Sequence, residues 1–306
     1  MPGRRLLCIV NPAAGGGQAK ARWAAWRRSP AWQGFSLAWE WTHRPGQAIA
    51  LTQSAAPDFD AVVAVGGDGT VNEVANGLLR AAKSVPLGIL PCGTANDAAR
   101  QYGINSLEDA LAGLTAGTAR VFDTIEVIHG AAGQQQSHEA LMFAATGFAA
   151  ELLRQTTSRV KFWFGPRLCY VVGFVRALAH YRPTHLRVRT DRGKYEGALF
   201  HVCAGNTEYA GGHMMRLSPG ACADDGRLNF CVIEGLSRLA ALRHLPKLIR
   251  GTHPSHPKVR YFEGTLLEVC SQPRVPLALD GDLIGTTPAT FRVRPQALRV
   301  LVPCQA

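Results

Sequence analysis

An apolar run at residues 60–65 (Asp-Ala-Val-Val-Ala-Val) empties into Gly66, Gly67, Asp68, Gly69 and Thr70. Val71, Val74, Ala75, Leu78 and Leu79 follow on one helical face. The run reads as a buried parallel strand and the later spacing as an amphipathic helix. Three glycines around one carboxylate make the turn between them. Such a strand–loop–helix points backbone N–H groups and the positive end of a helix at an anion. Asp68 would repel a bare phosphate. It fits a site in which Mg²⁺ lies between, because Mg²⁺ binds through one or two carboxylates plus phosphate oxygens. The competing reading is a tight turn that is merely glycine-rich.

Two neighbouring stretches repeat the theme. Residues 6–10 (Leu-Leu-Cys-Ile-Val) run into Asn11, Pro12 and Gly15 to Gly17, then into a helical stretch with Ala19, Trp23 and Trp26. Residues 85–90 end in Pro91, Cys92, Gly93, Thr94, Ala95, Asn96 and Asp97. Three strand–loop–helix units predict an α/β domain, a parallel sheet with helices on both faces. Ligands of such sheets bind beyond the carboxyl ends of the strands, so Asp68, Thr70, Asn72, Thr94, Asn96 and Asp97 are expected to converge there. No G-x-x-x-x-G-K-[ST] occurs, and neither glycine run fits G-x-G-x-x-G. The expected phosphate site is of a different type.

The pattern changes after a capping box at Ser106 to Asp109, whose helix stops near Gly117. Residues 121–128 alternate with period two, as a half-buried strand does. Residues 186–189, 198–204, 228–233 and 266–270 continue in that style, and 297–303 reads as a final strand. A β-rich second domain therefore begins near residue 122. By themselves, the Asp225-Gly226 and Asp280-Gly281 pairs read as hairpin turns.

With 306 residues and 47% hydrophobic content, one large or two modest domains with a full core are expected. The eight cysteines are dispersed without C-x-x-C, which leaves zinc and redox motifs unsupported and fits a reducing cytosol. The apolar run at 6–10 is too short for a signal peptide. A net charge of +11 favours anionic partners. Nucleic acid has no RNP, zinc-finger or helix-turn-helix signature to support it. The tryptophans at 23, 26, 32, 39 and 41 read as core and domain-edge packing rather than base stacking. Residues 131–137 look like a loop tip, and 253–257 like another exposed loop.

The glycine motif Gly66-Gly67-Asp68-Gly69-Thr70 with Asn72 and Glu73, followed by Gly93-Thr94-Ala95-Asn96-Asp97 and preceded by Asn11-Pro12, resembles the diacylglycerol kinase catalytic family. Soluble bacterial lipid kinases look closest, and sphingosine and ceramide kinases share the core. Phosphofructokinases and NAD kinases share only the Gly-Gly-Asp-Gly element. The resemblance implies a phosphofructokinase/NAD kinase-like α/β domain over residues 1–122 plus about 291–306. A β-rich, sandwich-like lipid domain would occupy 123–290. ATP would contact Asn11, Thr42, Gly66, Gly67, Asp68, Gly69, Thr70, Val71, Asn72, Gly93, Thr94 and Asn96. Catalytic Mg²⁺ would act through Asp68, with Asp97 in support. A structural Mg²⁺ would take the Asp225 carboxylate and the backbone carbonyls of Cys222 and Arg227. Asp282 stands where the family usually has a glutamate general base, with Asp280 as second choice. It would face the nucleotide loops across a cleft. Aspartate is shorter by one methylene, about 1.5 Å of reach.

The implied activity is ATP- and Mg²⁺-dependent phosphorylation of a hydroxyl on a diacylglycerol-like lipid, by a cytoplasmic protein held peripherally on an anionic membrane. Two alternatives stay open: a catalytically impaired lipid- or nucleotide-binding protein, and an NAD or sugar-phosphate kinase of the same superfamily. A homodimer is also left open. The apolar stretch 160–178, broken by Gly165, Pro166 and Arg167, is too short for a transmembrane span. It reads as a core helix or as the lining of an acyl pocket or bilayer contact. Residues 143–151 resemble a family segment near the lipid cleft.

Overall fold

The computed structural model describes residues 4–131, 133–156, 169 and 171–303. The chain forms two units, Met1–Phe122 with Gln296–Ala306, and Asp123–Pro295.

The first unit contains β1 (Arg4–Val10), α1 (Gln18–Trp26), β2 (Phe35–Trp41), α2 (Gln47–Ala55), β3 (Ala61–Gly66), α3 (Asp68–Arg80), β4 (Leu87–Pro91), α4 (Asp97–Gln101) and α5 (Leu107–Ala116). Its strands run parallel in the order β2-β1-β3-β4. Val300, from the returning end of the chain, lies beside Leu87. Every residue of β3 is buried, which is why its sequence is a continuous apolar run rather than an alternation. Edge strand β2 escapes sequence reading because its half-exposed residues follow no clean period. Its Trp39 packs edge-on against buried Trp23, which also meets Trp32. That cluster is packing, as expected. Burial pushes the thiols of Cys8 and Cys92 up, to about 12 and about 11, so they serve as small apolar groups. Ahead of α5, Ser106 accepts from the Asp109 N–H while the Asp109 carboxylate accepts from the Ser106 N–H, both at 3.0 Å. The helix ends at Gly117, φ +65°.

The second unit contains β5 (Ala119–His129, entering from the first), β6 (Gln136–Ala140), β7 (Phe143–Gly147), α6 (Phe148–Gln155), α7 (171–180), β8 (Thr184–Thr190), β9 (Gly193–Gly205), β10 (Tyr209–Ala210), β11 (Met215–Arg216), β12 (Leu228–Glu234), α8 (Arg238–Arg250), β13 (Val259–Gly264), β14 (Leu266–Ser271), β15 (Pro276–Leu279), β16 (Asp282–Thr286) and β17 (Ala289–Leu301). The main path is β16-β15-β7-β9-β8-β14-β17, with β12 joining β9 to β13 and β5 pairing with β6 and β17. The expected strands at 186–189, 198–204, 228–233 and 266–270 fall in β8, β9, β12 and β14. Their inward residues, among them Val188, Val202, Phe230 and Leu267, form one core with Ile125, Val127 and Phe291. Residues 157–168 and 170, most of the apolar stretch expected at 160–178, lie outside the described residues; 171–178 belongs to α7. No helix among the described residues is long and apolar enough to cross a membrane.

Helices α2 and α3 cross where Gly77 meets Thr52 and Ile49. A Cβ on Gly77 would lie 2.6 Å from the Thr52 Cβ and 2.7 Å from the Ile49 carbonyl oxygen. In an open helix, Gly→Ala gains about 1 kcal/mol of propensity. Here overpacking outweighs it, and Gly77→Ala is expected to lower stability by about 1–2 kcal/mol. Urea unfolding reads the sign directly.

Candidate active site

The three glycine loops of the first unit touch each other through backbone. A Cβ on Gly67 would come within 3.0 Å of the Gly93 Cα, and one on Gly93 would overlap the Gly67 Cα. Gly15, at φ +60°, presses on the Cys92 carbonyl. Only glycine allows these approaches. Hydrogen bonds fix the contact. The Cys92 N–H donates to the Gly66 carbonyl at 2.7 Å, and the Asn11 N–H to the Val65 carbonyl at 3.0 Å. The Asn96 amide clamps the Gly93 peptide from both sides, accepting from its N–H at 2.8 Å and donating to its carbonyl at 3.0 Å.

Helix α3 starts directly on the loop, with the Val71 N–H donating to the Gly67 carbonyl at 3.0 Å. The N–H groups before Val71 are those an α-helix leaves without intrahelical partners. Asn11 donates to Thr70 Oγ1 at 3.1 Å and accepts from the Ala13 N–H at 3.0 Å. It therefore ties the first loop to the helix start. Asn72 takes the Asn76 side chain. Thr42 closes the end of β2 through its N–H to the Val10 carbonyl, and Thr94 is exposed. Glu73, a motif residue given no role in the sequence, accepts from the Gly46 and Ala48 N–H groups at 2.8 and 3.1 Å. Its carboxylate caps α2 and pins the connection that follows Thr42.

Asp68 Oδ1 accepts from the Ala98 N–H at 2.9 Å, joining the second loop to α4. Burial raises the Asp68 carboxyl above its usual range. The Ala98 bond partly offsets this, and the charge of Asp97 adds to it. Two neighbouring acidic groups, both withdrawn from solvent, are the donor set a Mg²⁺ would relieve.

In the second unit, Asp280 and Gly281 have φ of 46° and 97°, the pair of left-handed residues that a two-residue type I′ hairpin demands. The turn separates two aspartates by role. Both Asp280 oxygens are occupied, accepting from the N–H groups of Leu141, Met142 and Phe143 at 2.6, 3.0 and 2.7 Å. Asp282 opens β16 opposite Leu279 and is exposed. The geometry gives Asp280 a positioning task, whereas Asp282 sits at an exposed position at the start of β16.

At the Asp224-Asp225-Gly226 turn, Asp225 Oδ1 accepts from the Arg227 N–H at 2.9 Å, and Asp123 Oδ2 accepts from the Gly226 N–H at 2.7 Å. The Asp225 carboxyl is raised by desolvation, with the charges of Asp123 and Glu263 adding to that. Among the described residues no three His, Cys, Asp or Glu side chains gather into a metal site. A cation here would have to lean on backbone carbonyls, the kind of donor expected from Cys222 and Arg227. Buried Asp123 escaped the sequence reading. The available signal was a carboxylate inside the apolar alternation of residues 121–128.

Behind this sheet, wholly within the second unit, lies an apolar cavity of about 130 Å³. Phe148, Phe174, Phe200, Leu217, Leu245 and Leu248 line it, together with His201 and His253. The exposed loop expected at 253–257 is corrected at its first residue, while Ser255 and Pro257 are exposed as expected. His253 opens a 3-10 turn and is only 5% exposed, because its ring fills the cavity wall. Burial, the larger cause, and the neighbouring His253 push His201 down to about 4; burial pushes His253 to about 4 as well.

Residues 5–127 match the family model of the diacylglycerol kinase catalytic domain, and residues 143–302 match that of the YegS C-terminal NAD kinase beta sandwich-like domain. A diacylglycerol kinase of Staphylococcus aureus (strain bovine RF122 / ET3-1) is 29% identical over 303 residues, covering 98% of this chain and 93% of the relative. One from S. aureus (strain JH9) is 31% identical over 265 residues, covering 86% and 81%. The crystal structure of a diacylglycerol kinase from Bacillus anthracis str. Sterne superposes with a TM-score of 0.72 at 22% identity, covering 99% of this chain and 98% of that one.

Two outcomes follow from the geometry. Asp280→Asn replaces one of the two oxygens that accept from these three N–H groups with an NH₂ donor, removes the charge from the remaining bonds, and is expected to cost about 1–3 kcal/mol. Asp282→Asn, on an exposed position, should stay within about 0.5 kcal/mol. Paired denaturation curves test the contrast. His201 and His253 are neutral in the fold, whereas the unfolded chain binds protons below pH about 6.5. Their contribution is therefore complete above that pH and lost as pH falls toward about 4, by up to roughly 3 kcal/mol each. Replacing both with asparagine should flatten the stability profile across that window.

Proposed function

Since the chain belongs to the diacylglycerol kinase family of lipid kinases, we propose that it transfers the γ-phosphoryl group of ATP to a hydroxyl of a diacylglycerol-like lipid. The observation that carries this reading is the backbone contact of three glycine loops around the start of α3, beside the Asp68 carboxylate. The N–H groups from Gly66 to Asn72 hold the phosphates, and Thr42 and Thr94 border the nucleotide. Asp68, with Asp97 beside it, holds Mg²⁺, which neutralises charge on the phosphates when bound. Asp225, with the carbonyls of Cys222 and Arg227, holds a second ion in a structural role.

Asp282 takes the proton from the lipid hydroxyl as its oxygen attacks the γ-phosphorus and ADP leaves. Phosphoryl transfer asks mainly for positioning and charge neutralisation, and Asp280 supplies positioning by fixing the turn that carries Asp282. The apolar cavity, with two uncharged imidazoles in its wall, suits the hydrocarbon part of a lipid.

Transfer of label from ATP into detergent-dispersed diacylglycerol, monoacylglycerol, ceramide and sphingosine, with and without Mg²⁺, tests the reading. Mg²⁺-dependent labelling of diacylglycerol is expected. Labelling of NAD or a sugar phosphate, offered as acceptors in parallel reactions, with no lipid labelled would overturn it. Asp282→Asn should lower kcat by about 10²–10⁴-fold with ATP affinity retained. Asp282→Glu distinguishes a working aspartate from an impaired site: a large gain in kcat would mark the native residue as impaired.

A further inference from the structure

Helix α8 has two apolar faces. Ala241, Leu245 and Leu248 turn inward to the cavity wall. Leu239, Leu242, Pro246 and Ile249 form an outward stripe at helical spacing, with Leu239 77%, Leu242 46% and Ile249 47% exposed. Helix α7 repeats the arrangement. Phe174 lines the same cavity while Val171 and Val175, one turn apart, are 47% and 53% exposed. Of the eight large apolar side chains exposed among the described residues, these two helices carry five. Water gives no reason for that concentration.

Charge identifies what covers it. Arg238, Arg243 and Arg250 are exposed along the α8 stripe, and neither described helix segment contains an acidic residue. None of the ion pairs found among the described residues engages these three arginines. A second copy of the chain docked across a two-fold axis on this face would set the arginines against one another. A bilayer with anionic headgroups accepts both components, the stripe in the acyl boundary and the cations among the phosphates.

We propose that the outward faces of α7 and α8 are the membrane-docking surface of this protein, selective for anionic bilayers. The proposal rests on the lipid-kinase reading only for why a bilayer is met at all. Docking here sets the cavity's own walls against the membrane, so lipid passes between bilayer and cavity without crossing water.

The test is sedimentation of the full chain with vesicles of phosphatidylcholine alone or doped with phosphatidylglycerol. Binding should require phosphatidylglycerol and weaken as salt rises. Arg238→Glu, Arg243→Glu and Arg250→Glu together should weaken it by about a hundredfold or more. Leu242→Gln with Ile249→Gln should weaken it at unchanged net charge. Thermal midpoints equal to that of the unsubstituted chain show that the variants fold. Salt-independent binding, or binding unaffected by both sets, overturns the proposal. So does a dimer that dissociates in the Gln variant while vesicles stay unbound, which assigns the face to a second copy. Activity on diacylglycerol should fall in vesicles and persist in detergent micelles. If the unsubstituted chain binds anionic vesicles but phosphorylates no lipid in either medium, the kinase reading fails and the docking surface stands.

Discussion

The contact of Gly67 with Gly93 is the constraint on which the first unit's site depends. Two loops from different strands can share one small volume only if neither carries a side chain at that point. Once they do, the Cys92–Gly66 bond aligns them, Asn96 locks one peptide and Asp68 spans from one loop to the helix of the other. The start of α3 is thereby tied to both loops, and its first N–H groups are those left without intrahelical partners, as the proposed phosphate site requires. Preorganised donors of that kind cost no rearrangement when charge moves during reaction.

A similar economy governs the second unit. A single type I′ turn needs a left-handed residue followed by glycine, and Asp tolerates that conformation better than most residues because its short side chain bonds nearby backbone. Asp280 uses the strained position to collect three N–H groups, and its rigidity passes to Asp282 two residues later. The hairpin turn and the exposed carboxylate that follows it are thus parts of one local structure, so the turn geometry does not compete with the role proposed for Asp282.

Much of this was legible beforehand, for physical reasons. Buried parallel strands such as β3 leave unbroken apolar runs, glycine loops advertise themselves, and the Ser106 capping box is a local signal. What escaped lacked a local signature. Strand β2 sits at an edge and follows no period. Helix α8 carries Pro246 in its interior, which reads in a sequence as a helix break. His253 lies among prolines and polar residues that look like loop, and its burial depends on elements distant in sequence. The division of labour between Asp280 and Asp282, and the capping role of Glu73, came from hydrogen bonds to residues 137–139 and 25–27 positions away. Spacing alone does not reveal such partners.

Glu73 illustrates a wider point about signatures. It belongs to the motif by which this chain is recognised, yet both of its oxygens are spent on the end of a neighbouring helix. Asn11 is likewise committed to Thr70 and Ala13, Asn96 to Gly93, and the paired glycines to one another. Selection for a loop that merely stays folded would preserve these letters as faithfully as selection for turnover. A descendant that had abandoned chemistry would keep its family badge almost intact, and the first visible sign of the loss would be drift at an exposed position outside the loop contacts, such as Asp282.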